Sequence, residues 1–382
     1  MKTNLFARVA AVTLVVALAI PVQLWAQQVR YNLIDLGPFH GGLQSYVNIP
    51  PNYAQVLNNN GVVAGWADTS KVDPYPSFCF NEDCQVSHAF QWQNGVTTDL
   101  GVLSGRVSSA AFWIAGNGLI AGVAENGKID PLVTGFPELR AVLWTNGTMT
   151  NIPTLGGTFA MAECANNEGQ VIGQSNLAGD LGCDGSATDG SCFQHAFLWD
   201  HGMLRDLGAL DGGNFSLANW INNKGEIVGG ATTSDAFHAA LWRKGAITDL
   251  GTLPGDCASI AWAINSKSQI VGQSFNCDAN NFRSVLWDKG SIIDLNVISV
   301  DPLDINEKGE IFGLEAPPGC PDTSLCAVQA FLLIPCASGQ GCEGKDSISA
   351  QIETPAVATT LAQRREMTKA FVARLRSRPA KR

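Results

Sequence analysis

The chain has 382 residues, 46% of them hydrophobic and only 15% charged, with 40 glycines, 10 tryptophans, 11 cysteines and a formal net charge of −10. That is ample apolar material for a large core. The acidic balance excludes a nucleic-acid-binding surface, because phosphates need a basic face. Sparse charge with abundant Gly and aromatic residues points to β-structure with many tight turns.

Residues 1–26 read as a signal peptide. Lys2 and Arg8 precede an apolar run from Val9 to Ile20, Pro21 breaks it, and Ala26 offers a cleavage point. The run is short for a membrane span, and no later run is long enough. The sequence therefore predicts an exported protein, extracellular or periplasmic, with a retained N-terminal anchor as the competing reading.

Behind such a leader, cysteines read as disulfides. The candidate disulfide cysteines are Cys79 with Cys84, Cys183 with Cys192, Cys257 with Cys277, Cys320 with Cys326, and Cys336 with Cys342. Cys164 falls inside a repeat strand and reads as a buried free thiol. Zinc competes, but no C-x-x-C pair and no His at ligand spacing accompanies these cysteines, so no metal site is assigned.

Residues 27–336 repeat one phrase six times. Its first part is a five-residue apolar strand, as in "HAFLW" (195–199), with Gly three residues after Trp in five copies. Asn94-Gly95 and Asn146-Gly147 make that turn a strong hairpin signal. The second part is "DLG", beginning at Asp35, Asp99, Asp206 and Asp249, with variants at Asn151 and Asp294. The third is an "S-x-A-x-x-I-N" strand, as in Ser216–Asn222. The fourth, "G-x-I-V-G", ends at Gly65, Gly122, Gly173, Gly229, Gly272 and Gly313.

Four short strands per unit of ~40–50 residues is the period of a propeller blade. The repeats begin with a second part (31–37) and end with a lone first part (329–333). The expectation is an all-β, six-bladed β-propeller of four-stranded blades with circular closure, Gln329–Leu333 pairing beside Tyr31–Gly37. Residues 337–382 read as a linker and a basic amphipathic C-terminal tail, with nine Lys or Arg against three Asp or Glu from Lys345 onward. Leu361, Met367, Phe371 and Leu375 predict a basic helix over 359–378, suited to an anionic surface or to a solvated tail.

The recurring phrase, with "HAFLW", "DLG" and "IN..G.IVG" in register, resembles the bacterial extracellular repeat family of the HAF type (HAF repeats) over residues 31–334. "NIP" at 151–153 and the missing Asn in "IAGNG" (114–118) depart from it. The resemblance implies an exported repeat protein and brings no catalytic residues.

Each candidate for chemistry has a plainer reading. The repeat Asp residues fit turn caps better than a ring around a cation. His88, His195 and His238 share one repeat position and read as polar strand starts rather than metal ligands. Asp180, Asp184 and Asp189 lie in a Gly-Ser loop that lacks the calcium-loop spacing. No nucleophile elbow, zinc-protease helix or phosphate loop occurs. The reading is a non-catalytic binding or scaffold module without cofactor. It would take an envelope glycan or protein through the insert loops 66–87, 123–139, 174–194 and 314–328. The alternatives are a polysaccharide-acting enzyme using Asp73, Glu82, Asp83, Asp180 and Asp184, or a purely structural surface protein.

Overall fold

The computed structural model describes residue 36, residues 45–46, residues 55–335 and residues 351–353. Positions 77, 82–83, 104–107, 132, 134, 180–192, 278–281, 299 and 316–328 are excepted. Every described element is a β-strand. The first unit is β1 (Ser45–Tyr46), β2 (Val63–Val72), β3 (Gln85–Gln93) and β4 (Val96–Asp99). The second is β5 (Ser109–Ile114), β6 (Ile120–Ile129), β7 (Pro137–Thr145) and β8 (Thr148–Asn151). The third is β9 (Gly156–Ala165), β10 (Gln170–Leu177), β11 (Gln194–Asp200) and β12 (Met203–Asp206). The fourth is β13 (Ser216–Ile221), β14 (Ile227–Thr232), β15 (Phe237–Arg243) and β16 (Ala246–Asp249). The fifth is β17 (Asp256–Ile264), β18 (Ile270–Asn276), β19 (Phe282–Asp288) and β20 (Ser291–Ile298). The last is β21 (Val300–Ile305), β22 (Ile311–Glu315) and β23 (Gln329–Leu333), and β24 (Gln351–Glu353) follows.

Within each unit the strands form an antiparallel meander, as the repeat predicted. The turn after each repeat Trp takes positive φ at two successive residues, for example His201 at 48° and Gly202 at 95°. That is the primed hairpin geometry, which matches strand twist.

The closed six-bladed ring is not what the ladders form. They make four sheets, of four, eight, nine and three strands, none closed on itself. Adjacent units fuse because the residue before the first-part strand bridges the next unit in parallel: Leu139 pairs with Phe159, and Phe237 with Ala258. The expected closing strand, β23, pairs with β22 alone among the described residues, and its Leu332 is 54% exposed. Its expected partner, 31–37, lies outside the described residues except Leu36. The C-terminal helix is corrected too. No helix occurs among the described residues, and the tail's one described piece, β24, is a strand added to β20. Residues 359–378 lie outside the described residues.

A bulge recurs in every third-part strand from the second unit on. The extra residue is Phe112, Glu163, Asn219, Trp262 or Leu303, and the residue before it faces the last Gly of "G-x-I-V-G". The bulge drives a carbonyl toward that Gly. A Cβ on Gly229 would lie 2.1 Å from the Leu217 oxygen, and one on Gly272 2.0 Å from that of Ile260. Glycine is there for close approach, not turn geometry.

The consensus side chains stitch unit to unit. Ser109, Ser216 and Ser259 each accept the N–H of the Ala in the preceding unit's first part. Each also donates to the carbonyl of that unit's "DLG" glycine. Trp144, Trp242 and Trp287 donate their indole N–H to the carbonyls of Leu100, Leu207 and Leu250 at 2.8–2.9 Å. The turn Asn residues cap their own turns through Oδ1. Their Nδ2 groups also run forward: Asn58 to Ala115, Asn166 to Asn222, Asn222 to Asn265, and Asn265 to Asn306. The main core cluster lies among the second to fourth units, where Trp113 meets Trp220 edge to face at 5.0 Å.

Asn222→Ala would strand the N–H groups of Lys224 and Glu226 and the carbonyl of Asn265. At about 1–3 kcal/mol per stranded buried group, a loss of about 3 kcal/mol or more is expected. Asn306→Ala, at an exposed turn, should cost about 1 kcal/mol. Urea midpoints of the two variants check the difference.

Candidate binding site

The hairpin joining the first and second parts sets His88, His195 and His238 opposite Asp99, Asp206 and Asp249. Each imidazole Nδ1 lies 2.7–2.8 Å from its carboxylate. The same carboxylates accept the N–H of Gly101, Gly208 and Gly251 at 2.7 Å, the turn-capping role expected of them. Burial alone would raise Asp206 and Asp249. The hydrogen bond and charge of the histidine, with the glycine N–H, outweigh it and hold both below the usual carboxylate range.

Residue types at this pair change together. Where Arg283 replaces His, it bonds Asp294 at 3.1 Å. Where Asn151 replaces Asp, Arg140 turns instead to Glu138 and the Thr158 carbonyl, both at 2.6 Å. The pair is structural. Among the described residues, no serine or cysteine bonds the other ring nitrogen of these histidines, and no metal-ligating cluster forms. The constant separation of 11 residues was a legible signal for this pairing.

Two predicted disulfides are formed, Cys79–Cys84 and Cys257–Cys277, with Cα atoms 5.0 and 4.9 Å apart. Cys183, Cys192, Cys320, Cys326, Cys336 and Cys342 lie outside the described residues, as do Glu82, Asp83, Asp180, Asp184 and Asp189. Cys164 is free and buried, and burial pushes its thiol up to about 12, so it stays protonated and unreactive.

Asp73, a candidate from the inserts, is joined by a carboxyl the sequence did not single out. Ser108 Oγ donates to Asp73 at 2.7 Å, and the Ser108 N–H donates to Glu125 at 3.1 Å. Both acids are sealed, Asp73 being 2% and Glu125 0% exposed, and Glu125 Oε1 has no partner. Burial, then the Asp73 charge, pushes Glu125 up to about 8, and burial raises Asp73 as well. Glu125 is therefore protonated at neutral pH. A pair closed to solvent receives no polymer substrate.

An open cleft of about 420 Å³ lies at the other end of the strands, among the short turns of the second and third units. Leu119, Leu143 and Trp199 supply apolar surface, and Asn146, Glu168 and His201 supply polar groups. Asn117 fixes one wall through bonds to Asn167 at 2.9 and 3.2 Å. Trp199 differs from Trp144, Trp242 and Trp287: its indole N–H bonds no protein group among the described residues, yet it is not sealed from solvent. The sequence expectation places recognition in the long inserts, away from this end of the strands.

The structure thus defines an all-β repeat protein, its units joined by side-chain relays and stapled by at least two disulfides, a bond type of oxidising compartments. Among the described residues no helix is long and apolar enough to cross a membrane. No protein-family model and no curated protein sequence matches the chain. Among solved structures, an acylaminoacyl peptidase from Pyrococcus horikoshii (orthorhombic crystal form) is similar at 11% identity with a TM-score of 0.43. The match covers 72% of this chain and 42% of the peptidase, less than half its length. At that distance the likeness assigns neither fold family nor chemistry to this chain.

Proposed function

We propose that the chain is an exported, non-catalytic binding or scaffold module of the HAF-repeat kind, with residues 1–26 as its leader. Its ligand is an envelope glycan or protein, and the basic tail makes peripheral contact with an anionic surface. One observation carries the reading. In most units the recurring Ser, Trp and Asn side chains spend their hydrogen bonds on the neighbouring unit, and the recurring His and Asp on each other. Much of the recurrence is thereby accounted for by architecture, which leaves the non-recurring surfaces for a partner. The two disulfides support export.

The test is a binding screen of the full chain against purified envelope polysaccharides and envelope protein extracts, with reducing ends assayed in parallel. Saturable binding without new reducing ends is the expected result. Polymer cleavage would overturn the non-catalytic reading, and no binding to any fraction would overturn the module.

A further inference from the structure

We infer that the cleft between the second and third units is a saccharide subsite, formed where the repeat departs from its own consensus, and that it takes a neutral or N-acetylated hexose chain. The inference rests on the binding-module reading and names its ligand class.

From the third unit on, the residue that opens the fourth part is long and polar, and its own turn Asn bonds it. Gln170, Glu226, Gln269 and Glu310 are held in this way at 2.6–2.9 Å. Two of these side chains then cross toward a neighbouring strand or unit. Gln170 donates to Asp200 at 3.3 Å, and Glu226 accepts from Ser268 at 2.8 Å and faces Arg243 at 3.6 Å. These bridges set satisfied polar groups at two of the corresponding positions.

The second unit lacks both halves of the device. Ala115 stands where the turn Asn belongs, and Leu119 stands where Gln or Glu belongs. No bridge of this kind forms there, and the groove keeps an apolar floor of Leu119, Leu143 and Trp199.

The indole of Trp199 supplies the second, independent observation. Among the described residues, three tryptophans at its repeat position donate to a Leu carbonyl of the preceding unit, whereas Trp199, like Trp92, does not. A donor left uncommitted beside an aromatic surface is a recognition group. Around it, the amide of Asn146 and the carboxylate of Glu168 make no side-chain hydrogen bond among the described residues, and His201 is 72% exposed with Asp200 on its Nδ1 at 2.7 Å.

A pyranose fits this chemistry. Its C–H face packs on an indole while its equatorial hydroxyls reach amide, carboxylate and imidazole groups at the edge. The size suits such a ligand, since small-molecule sites span ~300–1,000 Å³. Charge narrows the class further. No Lys or Arg lines the cleft, Glu168 does, and the chain is net acidic, so uronic-acid and phosphate-bearing polymers are repelled.

The experiment is calorimetric titration of the full chain with chitohexaose, cellohexaose and laminarihexaose, with hexagalacturonate as the acidic counterpart. At least one neutral hexasaccharide should bind saturably, and the acidic one at least tenfold more weakly. Trp199→Leu removes the aromatic face and the donor, and should weaken binding at least tenfold. Leu119→Gln installs the residue the fold already carries at 170 and 269. It should fill the groove and weaken binding at least tenfold without removing a polar contact. Trp199→Phe, which keeps a ring and loses the N–H, should lie between. Thermal melts confirm that each variant is folded.

Flat titrations with all three neutral sugars would overturn the proposal. So would binding within twofold of the parent in both Trp199→Leu and Leu119→Gln, or equal affinity for hexagalacturonate. If Trp199→Leu keeps full binding in the envelope-polymer screen, the cleft fails and the module reading stands. If the parent chain binds no envelope fraction, the module reading itself fails.

Discussion

Replacing Gly229 by alanine is expected to destabilise the protein by about 3 kcal/mol or more, a large value for a single added methyl group. The new Cβ would sit 2.1 Å from the Leu217 carbonyl oxygen and 3.0 Å from the Ala218 Cα, both backbone atoms of the bulged partner strand. Neither can rotate away, so the two strands must separate where Ala218 faces Gly229. The variant should melt several degrees below the parent. Gly116→Ala is the matched comparison. Its Cβ would meet only the Asn167 side chain, at 2.8 Å, which can swing aside at the expense of one hydrogen bond. About 1 kcal/mol is expected there. Equal melting temperatures for the two variants would show that the bulge does not press on the glycine.

The second large effect is a pH dependence. Glu125 titrates at about 8 in the folded chain, against an ordinary value of 4.5. An acid whose folded-state pKa is raised binds its proton more tightly in the native state. Its contribution is therefore complete below pH 4.5 and is lost as the pH rises through about 8. Over that window stability should fall by up to on the order of 4 kcal/mol, at ~1.4 kcal/mol per pKa unit. Asp73 is shifted in the same direction and steepens the fall. Glu125→Gln keeps an acceptor for the Ser108 N–H, places no charge beside Asp73, and should flatten the profile from pH 5 to 9. It should also stabilise the chain at pH 9. Urea denaturation at several pH values reads both. An unchanged slope in the variant would mean that Glu125 does not titrate in this window.

The local chemistry of the repeat was legible because it acts over a few residues. Positive φ after the repeat Trp, the Asp caps on the "DLG" turns and the Asn caps on the third turn each involve groups two to four residues apart. The Cys79–Cys84 pair is nearly as local, spanning 5 residues. The carbonyl partners of Trp144, Trp242 and Trp287 lie 35–44 residues away, and nothing in the repeat phrase sets Trp199 apart from them. The His–Asp pairs were overlooked although their constant spacing was on view.

What failed was inference from the count of parts to the closure of the whole. Six copies of each part gave the number of meanders, but hydrogen-bonded ladders do not have to stop at unit boundaries. The parallel bridges at Leu139–Phe159 and Phe237–Ala258 fuse neighbours into eight- and nine-stranded sheets. The end strand β23 has one partner among the described residues. A single bridge between units depends on how two meanders are tilted, which no periodicity encodes.

By itself the sequence determined the four-strand unit, its turns and its disulfide candidates, because each follows from the spacing of groups along one chain. Only the tertiary structure decided which carbonyl each Trp and Asn would reach, that Glu125 would be sealed against Asp73, and that Ala115 and Leu119 would open a cleft beneath Trp199. Those outcomes depend on distances between residues tens of positions apart, and packing sets such distances.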